Sequence, residues 1–334
     1  MKKKNLLKNP TRPVEPVAGM TCGALLDALE SCSFQGRQLA IAARIWAEAL
    51  DDDVMVWLGL AGAMVPAGMR KLVATLIEEN LVDVIVSTGA NLYHDYFETV
   101  GHTHFVGSPS VDDTELRDAK IDRIYDTFAD EDEFFDIDKQ IGSWAISSLE
   151  DRPYTTREFL ALLGAEAARR SGGEKGILAT ASEHGVPVYC PAIGDSSIGI
   201  GLAERERKIL FDVIGDVEET ADLAGKKPSM VIYVGGGTPK NFIQQTEVTN
   251  IVNGRMLSGH KYAIQFVVDA PNWGGLSGCT FEEAVSWGKI AVDARMVTVL
   301  CDATIALPMV TAALLTRREG KKRPGEHISR IVDW

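Results

Sequence analysis

An alternation of continuous apolar runs with helical segments is the feature that most constrains the fold of this chain. The apolar runs are rich in Val and Ile and do not alternate with polar residues, which is typical of strands in a parallel sheet covered on both faces. Segments with apolar residues at helical spacing separate most of these runs. We therefore predict an α/β fold with a doubly wound, mostly parallel sheet. The predicted strands are 54–60, 82–87, 186–193, 230–234, 262–268 and 297–301.

Around this alternation, the sequence indicates an arm, one domain and a tail. Polar, proline-bearing residues form the arm, and basic residues at the other end predict a solvated tail. Helices are predicted near 22–32 and 36–50, and Thr155 with Glu158 forms a capping box for a third. The segment 101–150, rich in Asp and aromatic residues, interrupts the alternation and is predicted to be an excursion at one edge. The predicted divisions are 1–21 for the arm, 22–316 for a single α/β domain and 317–334 for the tail.

Composition and charge exclude several classes of function. The formal net charge of -13 argues against a nucleic-acid partner, because phosphate binding needs a basic face. An acidic protein attracts cations such as polyamines, although the same acidity also keeps a protein in solution. Five dispersed cysteines without a CxxC pattern predict reduced thiols and a cytoplasmic protein. The longest apolar run, 54–69, is broken by glycines and a proline, so no membrane span is predicted. His102 and His104 lack a third ligand at a recognised spacing, so no metal site is predicted.

The segment 269–289 contains the most unusual combination of residues. Its first half is a run of glycine, proline and other turn formers, and Thr280 with Glu283 then matches a capping box. The helix that they begin is predicted to end just before Lys289. A lysine at a helix end is commonly a surface residue whose charge suits the helix dipole. The two tryptophans of the segment are either core aromatics or the walls of a site for a cation.

Small residues with hydroxyl groups or single carboxylates follow the predicted strands. Ligands of parallel sheets bind beyond the carboxyl ends of the strands, where backbone amides suit phosphates and a carboxylate suits a ribose diol. The pattern therefore indicates a nucleotide site, although a generic crevice also explains it and no GxGxxG motif is present. His94 lies one helical turn beyond the first of these segments and faces either the crevice or the helix surface. The segments are 87–91, 191–197, 235–239 and 302–303.

The string Glu283-Ala-Val-Ser-Trp-Gly-Lys289 resembles the active-site segment of the deoxyhypusine synthase family, and such a string is very specific. The resemblance covers residues 22–316 and implies the Rossmann-like, NAD-binding fold of that family. Supporting matches lie at 25–38, 58–59, 80–84, 87–89, 184–195, 235–237, 292–294 and 301–303.

The resemblance implies an NAD-dependent transfer of an aminobutyl group through an imine on the active-site lysine, here Lys289. Lysine attacks as a neutral amine, so the site must desolvate it or place it near another cation. The resemblance further implies that Trp287 supplies an apolar wall and a cation-binding face, and that Glu283 holds a substrate ammonium. It also implies a homotetramer with active sites shared between subunits. The residues expected to contact NAD are Thr88, Gly89, Ala90, Asp195, Gly235, Gly236, Gly237, Ser277, Asp302 and Ala303.

Several positions depart from the family pattern, and most of the departures replace acids. His94 stands where the family has an acid, and we predict it as a catalytic residue whose role stays open; a neutral imidazole would be competent as a base near neutral pH. Ile200 replaces a second acid, and the loop 273–276 is apolar where acids are expected. The predicted substrate contacts, besides Glu283 and Trp287, are Ser197, Asn241, Gln245 and Trp273.

Losing carboxylates that hold ammonium groups should change which amine binds. We therefore predict an enzyme of the homospermidine synthase type, which acts on small polyamines with putrescine or spermidine as donor. Two alternatives stay open. One is a true deoxyhypusine synthase that modifies a lysine of a translation factor, and the other is a catalytically idle oligomer that binds NAD or polyamines.

Overall fold

A computed structural model of the protein describes residues 7–203, 206–325 and 328. Its centre is a parallel sheet of six strands in the order β6-β2-β1-β7-β8-β9. Every residue of β1, β2, β6 and β7 is buried, as the continuous apolar runs predict. The α/β, mostly parallel fold class is thus confirmed. The strands are β1 (Met55–Leu60), β2 (Val84–Ser87), β6 (Val188–Tyr189), β7 (Ser229–Val234), β8 (His260–Val267) and β9 (Ile290–Leu300).

The chain reverses its direction of travel across the sheet between β1 and β7. From β1 it proceeds to β2 and β6 on one side, and then returns to add β7, β8 and β9 on the other side. The neighbouring strands β1 and β7 pair in register, Leu60 opposite Val234 at their carboxyl ends. The loops behind these two ends therefore diverge and open a crevice, which is where doubly wound sheets bind ligands.

Helices flank the sheet. In chain order they are α1 (Cys22–Leu29), α2 (Phe34–Leu50), α3 (Arg70–Glu78), α4 (Gly89–Thr99), α5 (Asp113–Asp118), α6 (Glu131–Ser148), α7 (Thr156–Arg170), α8 (Ile177–His184), α9 (Ser197–Leu202), α10 (Val213–Ala224), α11 (Gly237–Val252), α12 (Phe281–Ser286) and α13 (Ala303–Arg318). The predicted capping box of Thr155 and Glu158 is formed at the start of α7. Helix α2 packs against β8 and β9, whereas α11 packs against β1, β2 and β7 with α10 beside it. No helix in the described part of the chain has the length and apolar character needed to cross a bilayer.

The segment predicted to interrupt the alternation forms a small sheet of its own. Strands β3 (Phe105–Val106), β5 (Thr127–Asp130) and β4 (Ile121–Ile124) pair antiparallel in that order. Helix α5 lies between β3 and β4, and α6 follows β5 directly. Asp130 caps α6 by accepting hydrogen bonds from the amides of Asp132 and Glu133, which explains why acidic residues gather at this point.

Two strand boundaries differ from the prediction. The run 186–193 yields only the two residues of β6, because Pro187 and Pro191 flank them and proline has no amide to donate to a ladder. In contrast, β9 begins at Ile290, seven positions before the predicted start at residue 297. Its first half is an irregular edge with a register shift opposite His260 and Tyr262, and it carries Asp293 and Arg295. Because these charged residues lie on an exposed edge, the first half of β9 does not form the continuous apolar run by which the other strands were predicted.

Two arginines of the predicted solvated tail have buried side chains, whereas most of its other described residues are exposed. Arg318 closes α13 and donates to a carboxylate oxygen of Asp51 at 2.6 Å. Arg323 pairs through both terminal nitrogens with Asp83, at 2.7 and 3.0 Å, and both side chains are almost fully buried. A basic run predicts solvent exposure only where no buried acid can pair with it. Asp83, which lies just before β2 at the amino edge of the sheet, is such an acid. Parts of the predicted arm (1–6) and tail (326–327 and 329–334) lie outside the described residues.

Candidate active site

Lys289 occupies the turn between α12 and β9. The Thr280 hydroxyl accepts the amide of Glu283 at 3.1 Å and so caps α12, although the described contacts do not include the return bond of the predicted capping box. Beyond the helix, Gly288 takes a φ of 70°, which favours glycine and turns the chain toward the sheet. The Lys289 amide then donates to Ala284, and its carbonyl accepts the His260 amide at 3.0 Å. Backbone hydrogen bonds on both sides thus fix the position of Lys289.

A groove of about 290 Å³ runs between α11, α12 and the loop that precedes α12. It brings together four of the residues predicted to handle the amine, Asn241, Glu283, Trp287 and Lys289, and adds Lys240, Gln244 and Cys279. The Lys289 ammonium lies 5.3 Å from the centre of the Trp287 ring, within the range of a cation–π contact. Trp287 is 64% exposed, so its ring also remains accessible to an amine in the groove.

Lys240 is a buried ionisable residue of the groove that the sequence interpretation missed. Its side chain is only 1% exposed, and its ammonium donates to the Gln265 side chain at 2.9 Å and to the Cys279 carbonyl at 2.5 Å. Burial lowers the pKa of Lys240 to about 8, and the charge of Lys289 acts in the same direction. The groove thus contains a second, buried lysine close to Lys289. A buried lysine produces no sequence pattern that would identify it. The one available signal was its position in the first turn of the helix that follows the triple glycine.

Gln265 joins the predicted cofactor loop to the loop that carries the lysine helix. Its side-chain amide donates to the carbonyls of Gly235, at 2.9 Å, and Ser277, at 2.8 Å. A Cβ atom on Gly236 would stand 2.3 Å from the Cα atom of Ser277, so only glycine fits here. Ser277, predicted with the triple glycine as a cofactor residue, therefore lies against it. Movement in one loop is expected to reach the other through this contact.

The remaining predicted cofactor residues lie at the carboxyl edge of the sheet. Helix α4 begins behind Thr88 and α11 behind Gly236, and no side chain caps either helix, which leaves backbone amides available to phosphate groups. Open space faces Gly237, whose φ is 56°. A Cβ atom on Gly89 would stand 2.4 Å from the Ser196 hydroxyl, so the segments containing Ala90 and Asp195 adjoin. These features fit a dinucleotide at the crevice between β1 and β7.

A cleft of about 620 Å³ opens at this edge, and its wall includes Met64, Glu98, His104 and Asp302. One oxygen of Asp302 caps α13 through the Thr304 amide at 2.7 Å, and Ala303 is the first residue of that helix. Asp302 is itself exposed, which suits the predicted contact with a ribose. The cleft therefore has both the size and the acidic residue that a nucleotide requires.

Asn91, which the sequence interpretation left without a role, shapes the loop behind β1. Its side-chain oxygen accepts the amides of Met64 and Val65, at 3.0 and 3.2 Å. Its side-chain nitrogen donates to the Gly62 carbonyl at 2.8 Å and to the Thr88 hydroxyl at 3.1 Å. One asparagine thus holds together the two loops that bound the cofactor crevice.

His94 does not line the groove of Lys289. Its Nδ1 atom lies 3.0 Å from Nε2 of His104, whose Nδ1 lies 2.7 Å from a carboxylate oxygen of Glu98. The ring packs edge-on against Tyr93 and Phe134. Burial lowers the pKa of His94 to about 4, with the neighbouring His104 acting in the same direction. Within one chain, His94 is therefore a neutral residue behind the cofactor cleft, away from the lysine.

Three predicted substrate residues also lie apart from Lys289. Ser197 begins α9 beside Tyr93, in the neighbourhood of His94. Gln245 is exposed, and the preceding residue Gln244 lines the groove instead, because the groove-facing side of α11 is set by Lys240 one turn earlier. Trp273 is 74% exposed and does not line the groove, although Pro271 before it and the residues from Gly274 to Leu276 after it do.

Comparison with known proteins agrees with these features. The family model "DS: Deoxyhypusine synthase" matches residues 24–314. A "Probable deoxyhypusine synthase 2" of Methanosarcina mazei is 48% identical over 94% of this chain and 92% of that protein. A "Deoxyhypusine synthase-like protein" of Coxiella burnetii is 40% identical over 90% of this chain and 87% of its own length. The crystal structure of a putative deoxyhypusine synthase from Entamoeba histolytica has the same fold, with a TM-score of 0.59 at 14% identity over 92% of this chain and 96% of that one. The chain belongs to the deoxyhypusine synthase family.

Proposed function

We propose that this protein is an NAD-dependent aminoalkyl transferase that uses Lys289 as its covalent centre and small amines as donor and acceptor. The observation that carries the proposal is the groove in which Lys289 faces Trp287 and Glu283, with Lys240 buried beside them. Family membership supports a transferase, and the uncapped helix starts at the carboxyl edge support NAD as the cofactor.

NAD, when bound, accepts a hydride from the amine and later returns it. The chain's own residues bind and activate. Trp287 offers a ring face to an ammonium group, and Glu283 offers a carboxylate to the same charge. Lys289 attacks the oxidised carbon as a neutral amine, forms a carbon–nitrogen bond and releases the original amine. The acceptor amine then takes the place of Lys289 by the same exchange. Lys240 assists by placing a buried positive charge beside Lys289.

The groove suits a short amine better than a long polyamine. Among the described residues that line it, Glu283 supplies the one carboxylate, whereas Lys240 supplies a fixed positive charge and Leu276 an apolar wall. A diamine such as putrescine leaves one ammonium group to be held while the other end reacts. A longer polyamine has more charges, and each would need its own partner. This argument favours the homospermidine type of reaction.

We further propose that a second copy of the chain completes the site, as in the predicted homotetramer. Lys289 lies at the amino end of β9, whereas the cofactor segments lie behind the carboxyl ends of the strands. Large apolar side chains near both places are exposed, among them Trp273, Trp287, Val106 and Tyr125. Contacts between copies would cover these surfaces and bring the two halves of the site together.

The test is a product screen. The protein is incubated with NAD and putrescine, spermidine or agmatine, and products are identified by mass spectrometry. A new secondary amine is expected, together with a borohydride-trapped adduct on Lys289 that Lys289→Ala lacks. Absence of any new amine from every pair contradicts the proposal. A product formed only when a lysine-bearing translation factor is added supports the true synthase instead, and failure to form NADH with any amine supports an idle oligomer.

A further inference from the structure

Beneath the groove, four buried polar atoms lack a hydrogen-bond partner of normal geometry and gather on adjoining elements, although Tyr233 approaches Gln244 and His260 approaches the backbone of Ile243. They are the hydroxyl of Tyr233 on β7, the side-chain nitrogen of Gln244 and one oxygen of Glu247 on α11, and Nε2 of His260 on β8. Buried polar groups in folded proteins are almost always paired with protein or with ordered water. Four such atoms in one region therefore indicate internal water that links them.

The outer end of this row opens into the groove. Gln244 lines the groove together with Lys289. Its amide faces the Tyr233 hydroxyl but falls short of hydrogen-bond geometry. The pKa of Tyr233 is raised well above its usual value, first by burial and then by the nearby Glu247 and Cys279. The hydroxyl thus lies between the groove wall and Glu247.

The inner end of the row is a buried acid beside a buried histidine. Nδ1 of His260 lies 3.6 Å from the other oxygen of Glu247 and 2.7 Å from the Ser229 hydroxyl. Burial raises the pKa of Glu247 to about 7, opposed in part by the Gly259 amide, and burial lowers the pKa of His260 to about 3. Both shifts favour neutral forms, so the two side chains are not an ion pair, and Glu247 exchanges its proton near neutral pH.

The strands and the helix packed around Glu247 offer no free buried acid in the described part of the chain, so the competing carboxylate is Glu283 in the groove itself. Strands β1 and β2, which pack on α11, carry no ionisable side chain. The carboxylates of α10 are engaged elsewhere: Asp216 accepts the Thr156 amide, Glu219 pairs with Arg157, and Asp222 pairs with Arg255. The ionisable groups near Glu247 are therefore Tyr233 and His260, and those at the groove are Lys240, Lys289, Glu283 and Cys279.

We propose that the row Tyr233–Gln244–Glu247–His260 is a water-filled proton path and that Glu247 is the proton acceptor for the groove. This inference rests on the proposed function. Amine oxidation and attack by Lys289 both start from neutral amines, so each ammonium must first lose a proton. The proton moves through water past Gln244 and Tyr233 to the Glu247 carboxylate, which leaves a neutral amine and a neutral carboxyl group. The proton that Lys289 loses leaves on the departing amine, and Glu247 returns its own proton when the new imine is reduced, so the complete transfer consumes no net proton.

The test compares Glu247→Gln, which keeps the shape of the side chain but holds no exchangeable acid, with Glu218→Gln, which removes an exposed acid of α10. Burial also raises the pKa of Asp95 and of Asp216 to about 6, so infrared spectroscopy of the wild type and of Glu218→Gln should show protonated-carboxyl bands from several groups. Glu247→Gln should lose the component that titrates near pH 7 and keep the rest. In rapid mixing with NAD and putrescine, Glu247→Gln should form NADH about 10- to 100-fold more slowly, in line with a lost general base. The pH dependence of that step should disappear as well, while NAD affinity stays unchanged.

Tyr233→Phe provides an independent check should Glu247→Gln fail to fold, because it removes one hydroxyl without changing the packing. It should slow NADH formation about threefold to tenfold and reduce the solvent deuterium effect. The proton path is overturned if both variants keep the wild-type pH–rate profile. It is also overturned if the carboxyl signal that titrates near pH 7 persists in Glu247→Gln. If the wild type forms no NADH with any amine, the proposed function is overturned. The path then has no substrate proton to accept, even if the carboxyl band titrates as expected.

Discussion

Two regions of the molecule contain a buried basic side chain with a lowered pKa, but their surroundings differ. One is the groove of Lys289, and the other is the histidine cluster, which consists of His94, His104, Glu98 and Phe134. In both regions burial lowers the pKa of a basic side chain, of Lys240 to about 8 and of His94 to about 4. Lys240 borders an open groove that also holds a second lysine. His94, in contrast, packs against aromatic rings and His104 outside this groove, although His104 and Glu98 line the cleft at the carboxyl edge of the sheet. A shifted pKa therefore does not by itself mark a reactive site, and the groups that share the open space must be compared as well.

The largest expected effect separates the two regions by their role in chemistry. Lys289→Arg keeps the positive charge but removes the nucleophile, because a guanidinium does not deprotonate in proteins. We expect product formation to fall at least about 1,000-fold, as befits loss of a covalent catalyst. Lys261→Arg is the matched control, since Lys261 is half exposed and pairs with Asp52. Substantial turnover by Lys289→Arg in the product assay would show that the lysine is not the covalent centre.

Lys240→Met tests whether the groove contains a buried cation. The pKa of Lys240 falls from 10.5 to about 8 on folding. The unfolded chain therefore binds more protons between these values, and wild-type stability should rise as pH increases through this window. Relative to Lys240→Met, the rise should be roughly 2–3 kcal/mol. Urea unfolding at several pH values measures it.

Lys208→Met, which removes an exposed lysine, is the control and should keep the wild-type pH dependence. An identical pH dependence in Lys240→Met and the wild type would mean that Lys240 is solvated and that the groove lacks the second cation. That result would also remove the proposed help that Lys240 gives to Lys289.

His94→Phe applies the same reasoning to the histidine cluster. The pKa of His94 falls from 6.5 to about 4 on folding, so the neutral form contributes stability above pH 6.5 that is lost as pH falls toward 4. His94→Phe should lack this loss, which amounts to roughly 2–3 kcal/mol between the two pH values. NADH formation should change less than about tenfold, the lower end of what a general base contributes. A much larger loss of hydride transfer would restore His94 as the base, acting on a lysine from another copy of the chain.

The sequence was sufficient for features that depend on local pattern. Buried parallel strands are continuous apolar runs, so β1, β2, β7 and β8 were found within one or two residues. The string that ends at Lys289 was specific enough to predict the groove residues Glu283 and Trp287. The start of the capped helix was likewise predictable from Thr280.

Features that depend on contacts between distant segments were out of reach. Lys240 can be buried because its ammonium donates hydrogen bonds to the Gln265 side chain and to the Cys279 carbonyl, and both of these residues lie far along the chain. Arg323 is buried because Asp83 receives it 240 residues away. The sequence interpretation predicted Gln245 rather than Gln244 as a substrate contact. Which of the two faces the groove depends on the side of α11 that packs against the sheet, and the local sequence does not specify that side. In each case the tertiary partner, rather than the local pattern, decides where the side chain lies.

The smallest expected effect concerns the aromatic wall of the groove. Trp287→Leu keeps an apolar surface but removes the ring face that lies 5.3 Å from the Lys289 ammonium. A partly exposed cation–π contact contributes about 0.5–1 kcal/mol, so KM for the amine should rise about twofold to fivefold with a smaller change in kcat. Trp273→Leu is the matched comparison, since Trp273 is more exposed and does not line the groove of its own chain. An equal rise in KM for both variants would assign Trp273 to the same amine site, and because Trp273 lies outside the groove within one chain, a second copy would then have to supply it.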